Sequence, residues 1–491
     1  MQLSIYNSLG RKKEPFSPLE PDHFKMYVCG VTVYDRCHIG HARSAVVFDA
    51  VVRHLRRIGN RVTFIRNFTD IDDKIINRAA EEGISTVELA RREIGFFYED
   101  MDRLGILRPD IEPRATEHIP EIIALIERLI ENGNAYESHG DVYFSVSAFP
   151  GYGELSGRNP DDMKAGARIA PGEKKRDPMD FALWKAAKPG EPSWESPWGE
   201  GRPGWHIECS AMSMKYLGET LDIHGGGLDL IFPHHENERA QSEAATGKPF
   251  VRLWMHNGFV TINGDKMSKS LNNFITIKDI LDRYHPEVLR LFLLSKHYRS
   301  PLDYSTDALD ETSSALDRCY NALADAAEIA DKKVKKQRPL GKDAEKACSV
   351  LEKLETRFIE AMNDDFNTAQ AIGHLFEGVR ALNRLNMEAS KKPSALYAEP
   401  LKNGIRAIRE SAASLGILEE NPSEYLHKRS LEAIAKAGLS EQEILDAIKN
   451  RNEARKDKNW EEADRIRDEL AARGVVLKDG PEGTSWSASI R

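Results

Sequence analysis

The fold is decided by residues 26–65, which read MYVCGVTVYDRCHIGHARSAVVFDAVVRHLRRIGNRVTFI. Met26-Tyr-Val28 is typical of a short buried strand, and Val62-Thr-Phe-Ile65 of a second one. Between them, the stretch from Ala42 to Arg57 has helical spacing and Gly59 is a helix stop signal. The apolar positions that carry this spacing are Val46, Val47, Ala50, Val51 and Leu55. A strand, a helix and a strand within about 40 residues predict a parallel sheet whose ligand site follows the first strand.

The rest of the chain adds an insertion and a helical half. Residues 116–140 have a helical pattern, and residues 150–203 are rich in Gly, Pro and charge, as in an insertion that interrupts a sheet domain. From about 310 to 418 the pattern is helical almost throughout. Residues 426–491 predict a small helical unit that ends in a short strand and a turn at 474–480.

The composition excludes several classes of protein. Of 491 residues, 41% are apolar and 30% charged, which argues against collagen-like, mucin-like and disordered chains. The net charge of −9 argues against a protein that coats nucleic acid without selectivity, but a local basic face is enough for an RNA partner. No apolar run approaches the roughly 18–20 residues of a membrane helix, and the N-terminus lacks an export pattern. We therefore expect a cytoplasmic protein that does not bind membranes.

The motif His38-Ile-Gly-His41 lies between the first predicted strand and the helix. Gly40 lets the backbone approach a ligand closely, and a helix N-terminus offers unpaired N–H groups with a partial positive charge. The two histidines can donate hydrogen bonds to phosphate oxygens. Taken alone, such a motif is more often an unreactive loop.

A second motif, Lys266-Met-Ser-Lys-Ser270, follows the turn signal Asn263-Gly264. We therefore expect its lysines to lie on a mobile loop. Lys266 and Lys269 can neutralise charge that develops on a transferring phosphoryl group. A solvated loop is the alternative when this motif is considered by itself.

Together the two motifs are far more specific than either one. The order of His-Ile-Gly-His near the N-terminus and Lys-Met-Ser-Lys-Ser much later resembles the class I aminoacyl-tRNA synthetases. The resemblance implies that His38, His41, Lys266 and Lys269 are catalytic. In that family, the two motifs bind ATP and stabilise the pentavalent α-phosphate during amino-acid activation.

Four residues form a candidate metal site: Cys29, Cys209, His234 and Glu238. Five cysteines, sparse and far apart, argue against a disulfide framework. His234 and Glu238 are four residues apart, so they share one face if their segment is helical. Two thiolates, an imidazole and a carboxylate suit zinc, but the wide separation of the cysteines is not that of a zinc finger. Spacing alone favours buried, unreactive cysteines.

Three segments look like the cysteinyl-tRNA synthetase family, namely Tyr27-Val-Cys-Gly30, Gly204-Trp-His-Ile-Glu-Cys209 and His224-Gly-Gly-Gly-Leu-Asp-Leu-Ile-Phe-Pro-His-His-Glu-Asn-Glu238. The match runs nearly end to end and includes Arg66-Asn-Phe-Thr-Asp-Ile-Asp-Asp-Lys74. The resemblance implies one zinc ion per chain, held at the four candidate positions. We expect Glu238 to be the weak ligand, or the zinc to become five-coordinate when cysteine enters.

Zinc supplies a physical reason for choosing cysteine over serine. The two amino acids differ in one atom, so shape alone gives a modest selectivity. Zinc binds a thiolate strongly and lowers its pKa, whereas a serine hydroxyl stays protonated. A separate editing site is then unnecessary.

The resemblance also implies substrate-binding residues. The cysteine pocket would contain Cys29, Thr69, Trp205 and His224, and the ATP site would contain Gly40, Gly227, Asp229 and Lys269, with Mg²⁺ accompanying ATP. A carboxylate such as Asp229 suits ribose hydroxyls, although a lone Asp in a Gly-rich turn more often caps a helix. The alternative for Trp205 is a plain core aromatic.

The C-terminal segment is the expected tRNA reader. It contains Trp460 and Trp486, which can stack on unpaired bases, and basic residues that can pair with phosphates. These basic residues are Lys449, Arg451, Arg455, Lys456, Lys458, Arg465, Arg467 and Arg473. Acidic residues are interleaved throughout, so a solvated helix face is the alternative.

The predicted fold class is α/β. It combines a Rossmann-type parallel-sheet catalytic domain, split by an insertion, with a helical bundle and a small C-terminal anticodon-binding domain. We divide it into a first catalytic half at 1–115, a connective insertion at 116–203, a second catalytic half at 204–260, the KMSKS loop and stem-contact region at 261–315, a helical bundle at 316–418 and an anticodon-binding domain at 426–491.

The predicted function is ligation of L-cysteine to tRNA(Cys) by a monomer. The cysteine carboxylate would attack the ATP α-phosphate, and the terminal tRNA ribose would then accept the cysteinyl group, through its 2′-OH as in class I relatives. Positioning and electrostatics would carry most of the catalysis. Two alternatives are a cysteine ligase of small-thiol biosynthesis, which shares the catalytic core, and a non-enzymatic RNA-binding protein of synthetase origin.

Overall fold

The computed structural model describes residues 2–159, 174–262, 264–266, 274–480 and 483–488. By spatial clustering the chain divides into two compact units. The first contains residues 1–313, 356–374 and 413–417, and the second contains 314–355, 375–412 and 418–491.

A four-stranded sheet forms the centre of the first unit. Its strands, in spatial order, are β10 (Val251–Asn257), β9 (Leu221–Gly227), β3 (His23–Thr32) and β4 (Arg61–Thr69). Every neighbouring pair is parallel. The parallel sheet predicted from the βαβ pattern is therefore confirmed. Its strands β3 and β4 are longer than the predicted runs 26–28 and 62–65.

The helix between β3 and β4 is α1 (Ile39–Arg57), which begins three residues before the predicted start. All five apolar positions that predicted it are buried. Each of the three valines and Leu55 contributes about 1.5–3 kcal/mol when it leaves water, so this face fixes α1 on the sheet. The helix N-terminus consequently lies at the end of β3, where a parallel sheet binds ligands.

An antiparallel sheet interrupts the chain between β4 and β9, as the predicted insertion requires. Its order is β5 (Ala135–Ser138), β6 (Asp141–Phe144), β7 (Phe181–Ala186) and β8 (Gly201–Pro203). The helix α4 (Ile119–Glu131) covers it through a shared apolar core.

The expected helix over residues 116–140 is wrong from Ala135 onward. A hairpin replaces it there, since His139 and Gly140 have φ angles of 54° and 78° and connect β5 to β6 by a two-residue turn. Tyr136 and Tyr143 are directly opposite each other, with ring centroids 5.9 Å apart. The helical periodicity of the sequence continues past α4, but the cross-strand aromatic pair and the tight turn stabilise a hairpin there instead of a helix.

The remaining elements of the first half surround these two sheets. A small sheet joins β11 (Val260–Ile262) to β12 (Asp265–Lys266) on one side and to β13 (Leu302–Tyr304) on the other. A hairpin is formed by β1 (Ser4–Asn7) and β2 (Lys12–Pro15). The helices here are α2 (Asp73–Glu82), α3 (Thr86–Arg103), α5 (Trp205–Leu217), α6 (Glu236–Thr246), α7 (Ile277–Leu281) and α8 (Pro286–Leu294).

The second half of the chain is helical, as predicted. Its helices are α9 (Thr306–Asp331), α10 (Lys342–Glu352), α11 (Leu354–Asn363), α12 (Thr368–Lys391), α13 (Ala398–Ala413), α14 (Pro422–Lys436), α15 (Glu441–Lys456) and α16 (Trp460–Ala472). A hairpin of β14 (Val475–Gly480) and β15 (Gly483–Ala488) follows them. Among the described residues, none of the helices combines the length and apolar character needed to cross a bilayer.

The C-terminal segment has its own apolar core. Ile434 of α14, Ile444 and Ile448 of α15, Ile466 of α16 and Val475 of β14 pack together. The short strand predicted at 474–480 is confirmed, and a second strand pairs with it.

Candidate active site and metal centre

A cavity of about 420 Å³ lies at the carboxyl end of β3. Seven predicted site residues line it: Cys29, His38, Gly40, His41, Trp205, Gly227 and Asp229. Gly30 also lines it, and a Cβ there would lie 1.6 Å from the carbonyl oxygen of Asn67 on β4. The strand therefore requires glycine at the residue that follows Cys29.

The histidines of the His38 motif build the N-terminus of α1. Nδ1 of His38 accepts the N–H of Gly40 at 3.0 Å, and Nδ1 of His41 accepts the N–H of His38 at 3.2 Å. The two rings stack with centroids 3.8 Å apart. Because Nδ1 is the acceptor in both, the proton of each neutral ring sits on Nε2. Burial lowers the pKa of His41, with the neighbouring His38 acting in the same direction.

The segment after the Lys266 motif pairs with the residues around the start of α1. The N–H of Ile39 donates to the carbonyl of Ile275 at 3.2 Å, and the N–H of Ile277 donates to that of Cys37 at 3.0 Å. Backbone hydrogen bonds therefore connect the His38 motif to the segment that follows the Lys266 motif. Lys266 belongs to the short strand β12 rather than to a loop, and Lys269 lies outside the described residues.

The four candidate metal ligands converge behind the cavity. Sγ of Cys29 lies 3.7 Å from Sγ of Cys209, 3.4 Å from Nε2 of His234 and 3.3 Å from Oε1 of Glu238. Nε2 of His234 lies 2.9 Å from the same carboxylate oxygen. Residues far apart in the chain thus present four donor atoms within 4.8 Å of one another.

These donors fit a zinc ion in both chemistry and spacing. Tetrahedral zinc with bonds of about 2.3 Å to sulfur and about 2.0–2.1 Å to nitrogen separates its donor atoms by roughly 3.3–3.8 Å. The three distances from Cys29 fall within that range. His234 and Glu238 are closer because the imidazole and the carboxylate form an ion pair.

The electrostatics of the cluster also favour a cation. A hydrogen bond from Cys29 lowers the pKa of Cys209 to about 6. Burial disfavours the ionised form of Glu238. The nearby His224 and His234 stabilise that form more strongly and hold the pKa of Glu238 well below its usual range. Burial likewise disfavours the charged ring of His234, yet Glu238 and Cys209 raise its pKa to about 10. The proton on His234 thus balances buried negative charge, and a divalent ion could replace it.

Two of the predicted cysteine-pocket residues, Trp205 and His224, contact this cluster. The ring of Trp205 stacks on His234 with centroids 4.2 Å apart, and this tryptophan is 36% exposed, so it is not a plain core residue. His224 is buried, with Nε2 2.8 Å from Oε2 of Glu238. Thr69 is buried and donates to Oε2 of Glu208 at 2.9 Å.

The predicted ribose-binding segment follows β9. A Cβ on Gly227 would lie 2.4 Å from Oδ1 of Asp229, so the carboxylate folds back against a backbone that has no side chain. Both residues line the same cavity as His38 and His41. The predicted phosphate and ribose contacts are thereby brought to one place.

Several buried polar residues of this region escaped assignment from the sequence. His235 bonds to His256, and His256 bonds to Ser8, at 2.8 Å each. Glu208 is buried, and its Oε1 has no hydrogen-bond partner among the described residues. Burial raises the pKa of Glu208 well above its usual range, and the neighbouring Cys209 acts in the same direction. His235 and Glu208 stand next to predicted ligands in the quoted segments, but position in a motif does not show what a side chain contacts.

All five arginines predicted to contact RNA make hydrogen bonds within the C-terminal segment. Arg451 forms a two-pronged ion pair with Asp479 at 2.8 and 2.9 Å, and Arg455 shares that carboxylate. Arg465, Arg467 and Arg473 also bond to carboxylates or carbonyls of this segment. The exposed basic residues Lys449, Lys456 and Lys458 have no ion pair within the described part of the chain.

The two C-terminal tryptophans differ in environment. Trp460 is 59% exposed at the start of α16. Trp486 packs against the apolar core of the segment and lies opposite Leu477 on the hairpin. Exposure favours Trp460 as the residue that could stack on a base.

Comparison with known proteins gives consistent matches along the chain. Residues 15–314 match the family model of the tRNA synthetases class I (C) catalytic domain, residues 357–419 the DALR domain, and residues 441–486 the cysteinyl-tRNA ligase anticodon binding domain. The chain is 56% identical over 487 residues to a cysteine–tRNA ligase of Desulfotalea psychrophila, with 99% of each chain covered. It is 56% identical over 488 residues to one of Syntrophotalea carbinolica, covering 99% of this chain and all of that protein.

Among solved structures, the chain resembles the Mycobacterium tuberculosis methionyl-tRNA synthetase in complex with methionyl-adenylate. The TM-score is 0.63 at 18% identity, and the match covers 82% of this chain and 93% of that one. This likeness concerns the fold.

Proposed function

The chain belongs to the family of cysteine–tRNA ligases, which are class I aminoacyl-tRNA synthetases, and from this premise we propose how its residues share the reaction. In the first step, the cysteine carboxylate attacks the α-phosphate of ATP and releases pyrophosphate. In the second, the 2′-OH of the terminal tRNA ribose takes the cysteinyl group. The observation that carries the proposal is one cavity lined by both Cys29 and His41.

The ATP site is the part of the cavity next to α1. His38 and His41 donate hydrogen bonds to phosphate oxygens, assisted by the helix N-terminus, and Gly40 lets the phosphate approach. Asp229 accepts hydrogen bonds from the ribose hydroxyls beside Gly227. Lys266 and Lys269 stabilise the charge on the pentavalent phosphorus, and Mg²⁺ enters with ATP.

The cysteine site is the part of the cavity next to the metal cluster. Cys29, Cys209, His234 and Glu238 would hold one zinc ion, which when bound supplies a Lewis acid for the substrate thiolate. Thr69, Trp205 and His224 shape the surrounding pocket. His224 also bonds to Glu238, so it orients the carboxylate expected to be the weakest ligand.

The tRNA partner is tRNA(Cys), with its anticodon read by the segment that contains α15, α16 and the β14–β15 hairpin. Support comes from the exposed Trp460 and the exposed lysines. We also propose that the monomer is the active form.

The decisive experiment is cysteine-dependent exchange of pyrophosphate into ATP, followed by charging of purified tRNA(Cys). We expect exchange with cysteine, much weaker exchange with serine, and charging of tRNA. Exchange without charging would instead indicate a small-thiol ligase. Absence of both would contradict the proposal and favour an RNA-binding protein.

Metal analysis tests the zinc assignment separately. Purified wild-type protein should contain one zinc per chain, and the Cys29→Ser/Cys209→Ser double variant should lose it. A Cys319→Ser variant is a matched control, because Cys319 is a buried cysteine of the second unit. Full zinc content in the double variant would refute the assignment.

A further inference from the structure

A close contact between two histidines lies beside the proposed metal centre. Nδ1 of His206 is 2.9 Å from Nδ1 of His234. Two imidazole nitrogens at this distance share one proton, so one of them donates and the other accepts.

The surroundings of His234 decide which nitrogen donates. Its Nε2 faces Sγ of Cys29 at 3.4 Å and Oε1 of Glu238 at 2.9 Å, so Nε2 is the nitrogen presented to a metal. A metal-bound ring nitrogen carries no proton, and the proton of the neutral ring then sits on Nδ1. His206 is therefore the acceptor, and its own proton lies on Nε2.

We propose that His206 is a positioning residue for the metal centre: its Nδ1 accepts the Nδ1–H of His234 and holds that ring in the tautomer and orientation that offer Nε2 to zinc. This inference rests on the proposed function, which assigns zinc to the four ligands.

The fold keeps His206 in place for this role. It lies in the first turn of α5, three residues before Cys209, so one helix provides a ligand and the support of another ligand on the same side. Nε2 of Gln241 donates to the backbone carbonyl of His206 and to Oγ of Ser210, at 2.9 Å each. The ring of Phe181 meets that of His206 edge-on at 5.6 Å.

Zinc retention in variants of the full-length protein tests the role. His206→Leu removes the acceptor and keeps an apolar side chain. His206→Asn restores an oxygen acceptor close to the position of Nδ1. The matched control is His118→Leu, because His118 is a buried histidine that bonds to Tyr216 on the same helix α5. The readout is the apparent zinc dissociation constant, from competition with a chromogenic chelator of known affinity.

We expect His206→Leu to weaken zinc binding by about 10–100-fold, the usual effect of removing a hydrogen-bond partner from a metal-bound histidine. His206→Asn and His118→Leu should stay close to wild type. Wild-type affinity in His206→Leu would overturn the inference. Equal weakening in the Leu and Asn variants would also overturn it, since packing rather than the acceptor would then matter. A zinc-free wild-type protein would instead refute the metal assignment itself.

Discussion

His41 uses one ring nitrogen in the fold and leaves the other for the proposed contact with ATP. Nδ1 accepts the backbone N–H of His38 and caps α1. Burial lowers the pKa of His41, so the ring is neutral at pH 7 and carries its proton on Nε2. Its proposed contribution to ATP binding is therefore a directed hydrogen bond rather than a full positive charge.

Two substitutions at His41 separate capping from catalysis. His41→Asn keeps an acceptor near the position of Nδ1 but lacks a donor at the position of Nε2, whereas His41→Gln places its amide near the position of Nε2. We expect the Asn variant to lose about 10²–10³-fold in the kcat of pyrophosphate exchange, the scale of one donor to a developing charge. Gln should recover part of this loss. Equal activity of the Asn variant and wild type, at equal melting temperature, would contradict a donor role.

His54 of α1 makes the stability of the first unit sensitive to acid. It is fully buried and bonds to Asn363, and burial lowers the pKa of His54 to about 4. Since the unfolded value is about 6.5, the unfolded state binds the proton more readily, and stability is lost as the pH falls from about 6.5 towards 4.

The corresponding variant is His54→Gln, which keeps an amide donor for Asn363 and cannot titrate. Between pH 7 and pH 5, its free energy of unfolding should fall by about 2 kcal/mol less than that of wild type. Urea denaturation at the two pH values measures this difference. Identical pH dependence of the two proteins would show that His54 is not the titrating group.

At the scale of elements, the close approach of β3 and β4 positions the site. A Cβ on Gly30 would lie 1.6 Å from a backbone oxygen of Asn67, whereas a Cβ on Gly95, within α3, would meet nothing within 4 Å. Two strands must therefore move apart to accept any side chain at position 30. Cys29, the preceding residue, would move with its strand.

The pair Gly30→Ala and Gly95→Ala tests this constraint. The first should destabilise the protein by roughly 3 kcal/mol or more and lower its zinc content, because the clash is with backbone. The second should stabilise it by about 0.5–1 kcal/mol, because alanine loses less entropy in a helix. Denaturant midpoints and metal analysis give both readouts. A neutral Gly30→Ala variant would show that the strands can separate without cost.

Elements with strong local patterns were predictable from the sequence. Five apolar positions of α1 at helical spacing predicted both the helix and its buried face. The β5–β6 hairpin was not predictable from the sequence, because a helical pattern extends beyond α4. The positive φ of His139 is a property of the folded turn. Cys29 lies on β3 and Cys209 on α5, and only the packing of that helix on the sheet brings them together. Their spacing alone could not pair them, and only resemblance named them as ligands. The acceptor role of His206 depends on ring orientation, which no spacing shows.

At the scale of the whole molecule, the proposed catalytic site and the proposed anticodon reader belong to different units. The cavity and the metal cluster consist of residues of the first unit, and residues 418–491 belong to the second. Within the second unit, Tyr425 of α14 stacks on Tyr320 of α9 with ring centroids 3.7 Å apart. Arg429 also pairs with Asp317. The helix α14 is thus tied to the bundle, and a cut beyond it preserves that packing.

A chain that ends at Gly438 should therefore keep the first step and lose most of the second. Pyrophosphate exchange should remain near wild type, because every cavity residue is retained. Charging of tRNA should fall strongly, and the remainder should discriminate poorly among anticodon variants, since stacking on unpaired bases contributes about 1–3 kcal/mol per base. Full-length Trp460→Ala should show a smaller loss of the same kind. Charging rates with wild-type and anticodon-mutant tRNA measure both effects. If the truncated protein keeps the wild-type rate and the wild-type anticodon preference, residues 439–491 do not read the anticodon.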